Sequence, residues 1–208
     1  MSNSILLPTA YLAPISYYAL LIQYKNCSIE YHEHFIKQSI RNRCEIYSSN
    51  GTLLLTIPKQ RKKSSKTLVT DIQISYEEKW QKEHWNAITS AYNSSPFFEF
   101  YKDKIKPFFT EKEPYLVNLN NKLQHTIINI LQANRPSYSN KYEHTGDFID
   151  MRNYKFNTVD IKKYDQVFME KKGFIPNLSI IDLLFNLGPE SGSYLKQIDT
   201  KKIIYNLD

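Results

Sequence analysis

Cys44-Glu45-Ile46-Tyr47-Ser48-Ser49-Asn50-Gly51-Thr52-Leu53-Leu54-Leu55-Thr56-Ile57 is the stretch that decides the fold. Two apolar, β-branched or aromatic runs flank an Asn-Gly pair, the strongest short-range signal for a type I′ hairpin. With Asn50-Gly51 as the two-residue loop, Ile46 falls opposite Leu55 and Cys44 opposite Ile57, which gives one apolar face. The chain therefore contains an antiparallel hairpin.

Immediately upstream, Lys37-Gln38-Ser39-Ile40-Arg41-Asn42-Arg43 packs three cations and three hydrogen-bonding side chains into seven positions. If the strand extends back through this run, alternation sends Arg41, Arg43 and Glu45 to one face and Asn42, Cys44 and Ile46 to the other. Two guanidiniums on a rigid surface suit an anionic ligand, because each offers a planar fork to a phosphate or carboxylate. Further upstream, Ile5-Leu6-Leu7 reads as a buried strand and Pro8 to Pro14 as a turn carrying Tyr11. Ile15 to Tyr24 has the apolar density of a helix on a sheet, and Ser28 to Phe35 reads as a second strand. This opening is β-loop-α-β, without a glycine-rich phosphate cradle.

Downstream, Leu68 to Ser75 alternates like a third strand. Glu77 to Tyr92 is amphipathic, with Trp80, His84, Ile88 and Ala91 on one stripe. Helices are expected over 97–108 and 115–131, the latter placing His125 opposite its apolar stripe. Residues 133–145 are polar and aperiodic, a loop or connector. Short strands or turns are expected at 147–156, 159–161 and 164–170. A buried helix follows over Ser179–Leu187, stopped by Gly188-Pro189, and then a last helix or extended tail. The expected fold class is α+β. Residues 1–208 form one domain, a mixed sheet of the N-terminal βαβ unit plus the hairpin, packed by several helices.

The 208 residues carry 27 Lys and Arg against 21 Asp and Glu. Lys59, Arg61, Lys62, Lys63 and Lys66 fall in one short stretch, and without these five the balance is 22 to 21, a net of +1. The basicity is local. It reads as a solvated loop, with nucleic-acid binding as the weaker alternative. Cys27 and Cys44 have neither disulfide-framework nor metal spacing. His32 and His34 share a strand face but lack a third ligand, so no metal site is assigned. The first Lys is Lys25, after an apolar stretch broken by Pro8 and Pro14, which fits neither a signal peptide nor a membrane span. A cytoplasmic protein is expected.

Two residues on apolar segments carry the catalytic possibilities. His84 reads either as a satisfied core histidine or as a general acid or base tuned by partial burial. Asp182, inside Ile180–Leu187, needs a partner because an unpaired buried charge is costly. It reads as paired with a core arginine, as part of a capping box with Ser179, or as orienting a ligand in a polar pocket. Asp150 and Arg152 lie two apart and can share a face, as a surface pair or as pocket residues.

Several stretches together resemble the WbqC-like family of bacterial proteins. They are Leu7-Pro8-Thr9-Ala10-Tyr11-Leu12-Ala13-Pro14, then residues 37–43 and Leu55-Thr56-Ile57-Pro58. Trp80 and His84 through Tyr92 to Pro96 follow, and Phe174-Ile175-Pro176-Asn177-Leu178-Ser179-Ile180-Ile181-Asp182-Leu183-Leu184 closes the series. Leu7 stands where many members have glutamine, and Glu30 and Glu33 occupy an acidic region that is often aspartate-rich. The resemblance implies a link to O-antigen and other surface-polysaccharide gene sets. Taken with the arginine pair and the histidine on an inward helix face, this context leads to an enzyme of envelope glycan assembly as the first reading, a transferase for instance, acting on an anionic activated substrate such as a nucleotide sugar or an acyl donor. Arg41 and Arg43 would hold the phosphate or carboxylate. Lys37, Tyr11, Asn42, Asp150 and Arg152 would line the pocket, with His84 for acid–base work and Asp182 for orientation. A non-catalytic ligand-binding or assembly protein is the alternative. The sequence names no cofactor and no oligomeric state.

Overall fold

The computed structural model describes residues 4–60, 66–156, 159 and 161–205. Arg61, Lys62 and Lys63 of the basic stretch lie outside the described residues, as do Asp160 and Asn206.

The chain opens with strand β1 (Ser4–Pro8), helix α1 (Ile15–Gln23) and strand β2 (Asn26–Glu30). β1 and β2 pair in parallel, with Ile5 against Cys27 and Leu7 against Ile29. Ile5, Leu6 and Leu7 are all buried, as expected for a parallel strand covered on both faces. β2 stops at Glu30 rather than running to Phe35, because the Glu30 carboxylate turns back to accept the His32 backbone N–H at 2.8 Å.

The hairpin consists of β3 (Arg43–Ser48) and β4 (Gly51–Thr56). Its register differs from the sequence expectation by one turn position. Ser48 pairs with Gly51, Cys44 faces Leu55 and Ile46 faces Leu53, so the loop is Ser49-Asn50. Gly51 carries the positive φ of +106° while Asn50 does not, which excludes a type I′ turn. β3 begins at Arg43, so Arg41 precedes the strand in a turn and is not on the sheet.

After the hairpin, Leu68–Ser75 is not a strand. Val69–Asp71 forms a single 3-10 turn, and its flanks bridge to three separate segments, at His34, Lys59 and Tyr115. The alternation there reflects Ile72 and Ile74 entering the core on either side of irregular backbone. Helices α2 (Trp80–Tyr92), α3 (Phe98–Ile105) and α4 (Leu116–Ile130) follow. The expected stripes are buried, Trp80, Ile88 and Ala91 in α2 and Leu116, Leu119, Leu123 and Ile127 in α4. His125, opposite the apolar stripe of α4, has its Nε2 2.5 Å from the Tyr138 hydroxyl.

Two strands of two residues each complete the parallel sheet. β5 (Ser137–Tyr138) lies inside the segment expected to be a loop and pairs with β2, and β6 (Ile149–Asp150) pairs with β1. The order is β5-β2-β1-β6, all parallel, with the hairpin as a separate two-stranded sheet. The C-terminal part adds α5 (Met169–Lys172), where a strand or turn was expected, then α6 (Ile180–Leu187), α7 (Ser191–Gln197) and α8 (Thr200–Tyr205). α6 is enclosed on nearly all sides, with Ile180, Ile181, Leu183, Leu184 and Phe185 fully buried. Gly188, at φ +55°, ends it in a conformation that costs glycine least. One continuous cluster of buried apolar residues runs from β1 and α1 through the hairpin and α2–α4 to α6 and α8. The architecture is α+β, parallel sheet plus antiparallel hairpin. Among the described residues no helix is long and apolar enough to cross a membrane.

Candidate functional site

A cavity of about 590 Å³ opens where four loop segments and the hairpin meet. Its wall takes Leu12 and Pro14 from the β1–α1 loop, the turn 36–41, and Arg43, Glu45 and Leu54 from the hairpin. The segment 152–156 after β6 and residues Asn177 and Ser179 before α6 close it. Backbone bonds join these walls. Tyr11 N–H donates to the Ile40 carbonyl, Ser179 N–H to Glu45, Ile180 N–H to Ala13 and Ile15 N–H to Leu178.

The position follows from topology. The chain leaves β1 toward β2 on one side, while β6 lies on the other side of β1. The loops that follow β1 and β6 therefore diverge at the carboxyl end of the sheet, and open parallel sheets bind ligands at such a switch point. Pro14 and Ser179, the residues that begin α1 and α6, also lie in the wall. The first N–H groups of both helices are taken within the fold, Ile15 by the Leu178 carbonyl, Ser16 by Asn177 Oδ1 and Ile180 by the Ala13 carbonyl. Leu12 (φ 42°), Gln38 (φ 56°) and Asn177 (φ 55°) are three of four described non-glycine residues with positive φ, and all three line the cavity. Left-handed backbone at a leucine is costly and tends to gather at functional sites.

Five cations reach this wall, Lys37, Arg41, Arg43, Arg152 and Lys155, against one carboxylate, Glu45. They are not equivalent. Arg41 is only 2% exposed and holds Glu33 in a two-bond fork, with Nε at 2.8 Å from Oε1 and Nη2 on Oε2. Its Nη2 also donates to the Arg152 carbonyl at 3.0 Å. Arg152 grips Asp150 through Nε and Nη2, reaches Glu30 through Nη1 at 3.3 Å, and lies 4.6 Å from the centre of the Tyr142 ring. Burial pushes the Glu30 carboxyl up, but bonds from Glu143 N–H, the Ser139 hydroxyl, His32 N–H and Arg152 hold it below its ordinary range. Burial lifts Glu33 above its usual value, with Arg41 opposing. These two arginines are committed to carboxylates of the fold.

Arg43 is different. It is half-buried, and its Nε is enclosed without a hydrogen-bond partner, as is the hydroxyl of Tyr154 in the same wall. A buried N–H without an acceptor costs about 1–3 kcal/mol, so the fold leaves a place for an acceptor at each of these two groups. Lys37 and Lys155 are exposed and form no ion pair among the described residues.

Of the residues singled out from sequence, Lys37, Arg41, Arg43 and Arg152 meet at this cavity, while Tyr11, Asn42, Asp150, His84 and Asp182 are not in its wall. Tyr11 is fully buried with its hydroxyl 2.9 Å from His84 Nδ1. Asn42 donates to the Ile57 carbonyl at 2.9 Å, and Asp150 holds Arg152. His84 is enclosed by Trp80, Phe109 and Tyr11 and hydrogen-bonds the Thr56 backbone as well. Burial lowers its pKa to about 4. Asp182 has no exposed surface and no arginine partner. It accepts from the Tyr92 hydroxyl at 2.9 Å, from Gln166 Nε2 at 2.9 Å and from the Tyr164 hydroxyl. Burial raises its pKa, opposed by those three donors. The capping-box reading also fails, since Ser179 starts α6 but its hydroxyl donates to the Leu12 carbonyl at 2.7 Å.

Cys44 lines the cavity, yet burial pushes its thiol well above the ordinary value, so it is not a ready thiolate nucleophile. Among the described residues no cluster of three or more His, Cys, Asp or Glu side chains is arranged to hold a metal ion. Sequence reasoning missed Tyr154, Lys155 and Asn177 as wall residues. Asn177 stood within the stretch 174–184, as a residue type that tolerates left-handed backbone, and Tyr154 lies two residues from Arg152.

Comparison with known proteins agrees with the resemblance seen in the motifs. The chain belongs to the WbqC-like protein family, whose model matches residues 9–146 and 135–194. A relative in Mycobacterium tuberculosis, Uncharacterized protein Rv1507c, is 26% identical over 197 aligned positions, covering 78% of this chain and 84% of that protein. No solved structure matches the chain.

Proposed function

We propose that this protein binds the anionic group of an activated substrate in the cavity around Arg43, as a cytoplasmic step of envelope glycan assembly. The glycan context rests on the family resemblance. The anion rests on one observation, the buried and unpartnered Nε of Arg43 in a wall where five cations meet a single carboxylate. The switch-point position and three residues of left-handed backbone support the same location. Arg43 and the Tyr154 hydroxyl contact the anion, Lys37 and Lys155 draw it in, and Arg41 and Arg152 hold the walls in place. A nucleotide sugar or an acyl donor fits a cavity of this size.

The enclosure of His84 and Asp182 favours the second reading, a ligand-binding protein without a chemical step of its own. Neither reaches the cavity wall, and both have their hydrogen bonds made within the fold. Nucleic-acid binding through the basic 59–66 stretch is a third reading, and Arg61, Lys62 and Lys63 of that stretch lie outside the described residues.

Calorimetric titration with inorganic phosphate and with a nucleoside diphosphate sugar tests the site. Saturable binding that Arg43→Gln weakens at least tenfold is expected. Equal affinity in wild type and Arg43→Gln contradicts the reading. Turnover by His84→Gln protein that matches wild type per folded molecule is the outcome expected if His84 belongs to the core.

A further inference from the structure

The cavity wall combines two kinds of side chain. Arg43 and Tyr154 each bring an enclosed polar atom without a partner, Nε and the hydroxyl. Ile36 at 39% exposed and Leu54 at 47% bring large apolar side chains left in water. Arg43 and Glu45 are two apart on β3, and Leu54 pairs across from Glu45, so Leu54 and Arg43 share one face of the hairpin. Ile40 and Leu12 add to the apolar lining.

The charge of the wall has a definite remainder. Arg41 and Arg152 are held by three carboxylates, Glu33, Glu30 and Asp150, while Arg43, Lys37 and Lys155 face Glu45. Five cations against four carboxylates leave one positive charge unmatched, which suits the anion of a phosphate ester.

We propose that the ligand is a phosphate monoester of an aliphatic alcohol. Its phosphate sits between Arg43 and Tyr154, and its carbon chain leaves across Leu54 and Ile36. The proposal rests on the anion-site reading above and narrows it. A sugar phosphate satisfies Arg43 but leaves these apolar side chains in water, whereas an aliphatic chain covers them and gains about fourfold in affinity for each methylene it buries.

The test compares three probes by titration calorimetry on the full chain, octyl phosphate below its micellar concentration, glucose 1-phosphate and 1-octanol. Octyl phosphate is expected to bind at least about tenfold tighter than glucose 1-phosphate, the gain of two buried methylenes, and octanol far more weakly than octyl phosphate. In Ile36→Ser/Leu54→Ser the preference for octyl phosphate collapses toward one, and Arg43→Gln weakens both esters. Equal affinity for the two esters overturns the inference and leaves the anion site standing. So does an octyl preference that survives in the double serine variant. Octanol that binds as well as octyl phosphate overturns the inference and the anion site together, since the phosphate then contributes nothing. Failure of both esters to bind overturns the inference and the anion site together.

Discussion

Arg41→Ala and Arg43→Ala, two residues apart, have opposite expected consequences. Arg41 is 2% exposed and gives Glu33, itself 5% exposed, a bidentate fork. Truncation leaves the Glu33 carboxylate buried with its cation gone, and strips the Arg152 carbonyl of a 3.0 Å donor. Breaking a buried pair in this way costs about 3–5 kcal/mol. For a chain of 208 residues, each kcal/mol moves the unfolding midpoint by about 2–4 °C, so a fall of about 6–20 °C is expected. Arg43 makes no such pair, and its truncation frees an unsatisfied N–H from burial. Its cost should stay within about 1 kcal/mol. Equilibrium urea unfolding of both variants beside wild type reads the difference, and Glu33→Met/Arg41→Met should recover part of the Arg41 loss by replacing the pair with apolar side chains. Equal stability of the two alanine variants would refute the division into one structural and one ligand-facing arginine.

Three further outcomes follow from the buried groups. His84, whose pKa is lowered to about 4, takes up a proton in the unfolded chain near pH 6.5 but resists it when folded. Stability from the neutral ring is therefore full above about pH 6.5 and is lost as pH falls toward 4, by about 3 kcal/mol in all. The wild-type advantage over His84→Gln should shrink over that window, and a constant difference from pH 4 to 7 contradicts the assignment. Asp182→Asn places an amide donor among the donors of Tyr92, Tyr164 and Gln166. It should cost about 1–3 kcal/mol without changing phosphate affinity, and an affinity loss with unchanged midpoint would instead place Asp182 at the ligand. Phosphate binding should weaken only modestly with salt. A steep logarithmic dependence on salt, shared by single-stranded RNA, would point to a nucleic-acid surface.

The large features of the fold were legible because they carry their own periodicity. The βαβ opening, the amphipathic α2 and α4 and the apolar α6 repeat their pattern over enough residues for one period to win. β5 and β6 span two residues each, too few for any alternation to register, and they exist only because β1 and β2 present free ladder edges. The hairpin was legible but its register was not. Asn-Gly is read as the two loop residues of a type I′ turn, whereas here Gly51 takes the positive φ one position later and shifts every cross-strand pair.

The site was legible as a composition and not as a division of labour. Lys37, Arg41 and Arg43 do line one cavity. Yet which arginine is free depends on Glu33, Glu30 and Asp150, brought in from the carboxyl ends of β2 and β6, and no local pattern encodes those contacts. His84 and Asp182 stood out because polar residues in apolar segments need partners. The partners proved to be Tyr11, Tyr92, Tyr164 and Gln166, residues of the core that sequence spacing does not connect.

The claim that Arg43 is the cation left open for a ligand is tested most directly by nuclear magnetic resonance of the arginine side-chain Nε–Hε groups during titration with octyl phosphate and with inorganic phosphate. The Arg43 signal, free of any protein acceptor, should shift on binding and exchange more slowly with water, while those of Arg41 and Arg152, already held by Glu33 and Asp150, stay in place. A shift confined to Arg41 or Arg152, or an Arg43 signal unmoved at saturating phosphate ester, would contradict the account.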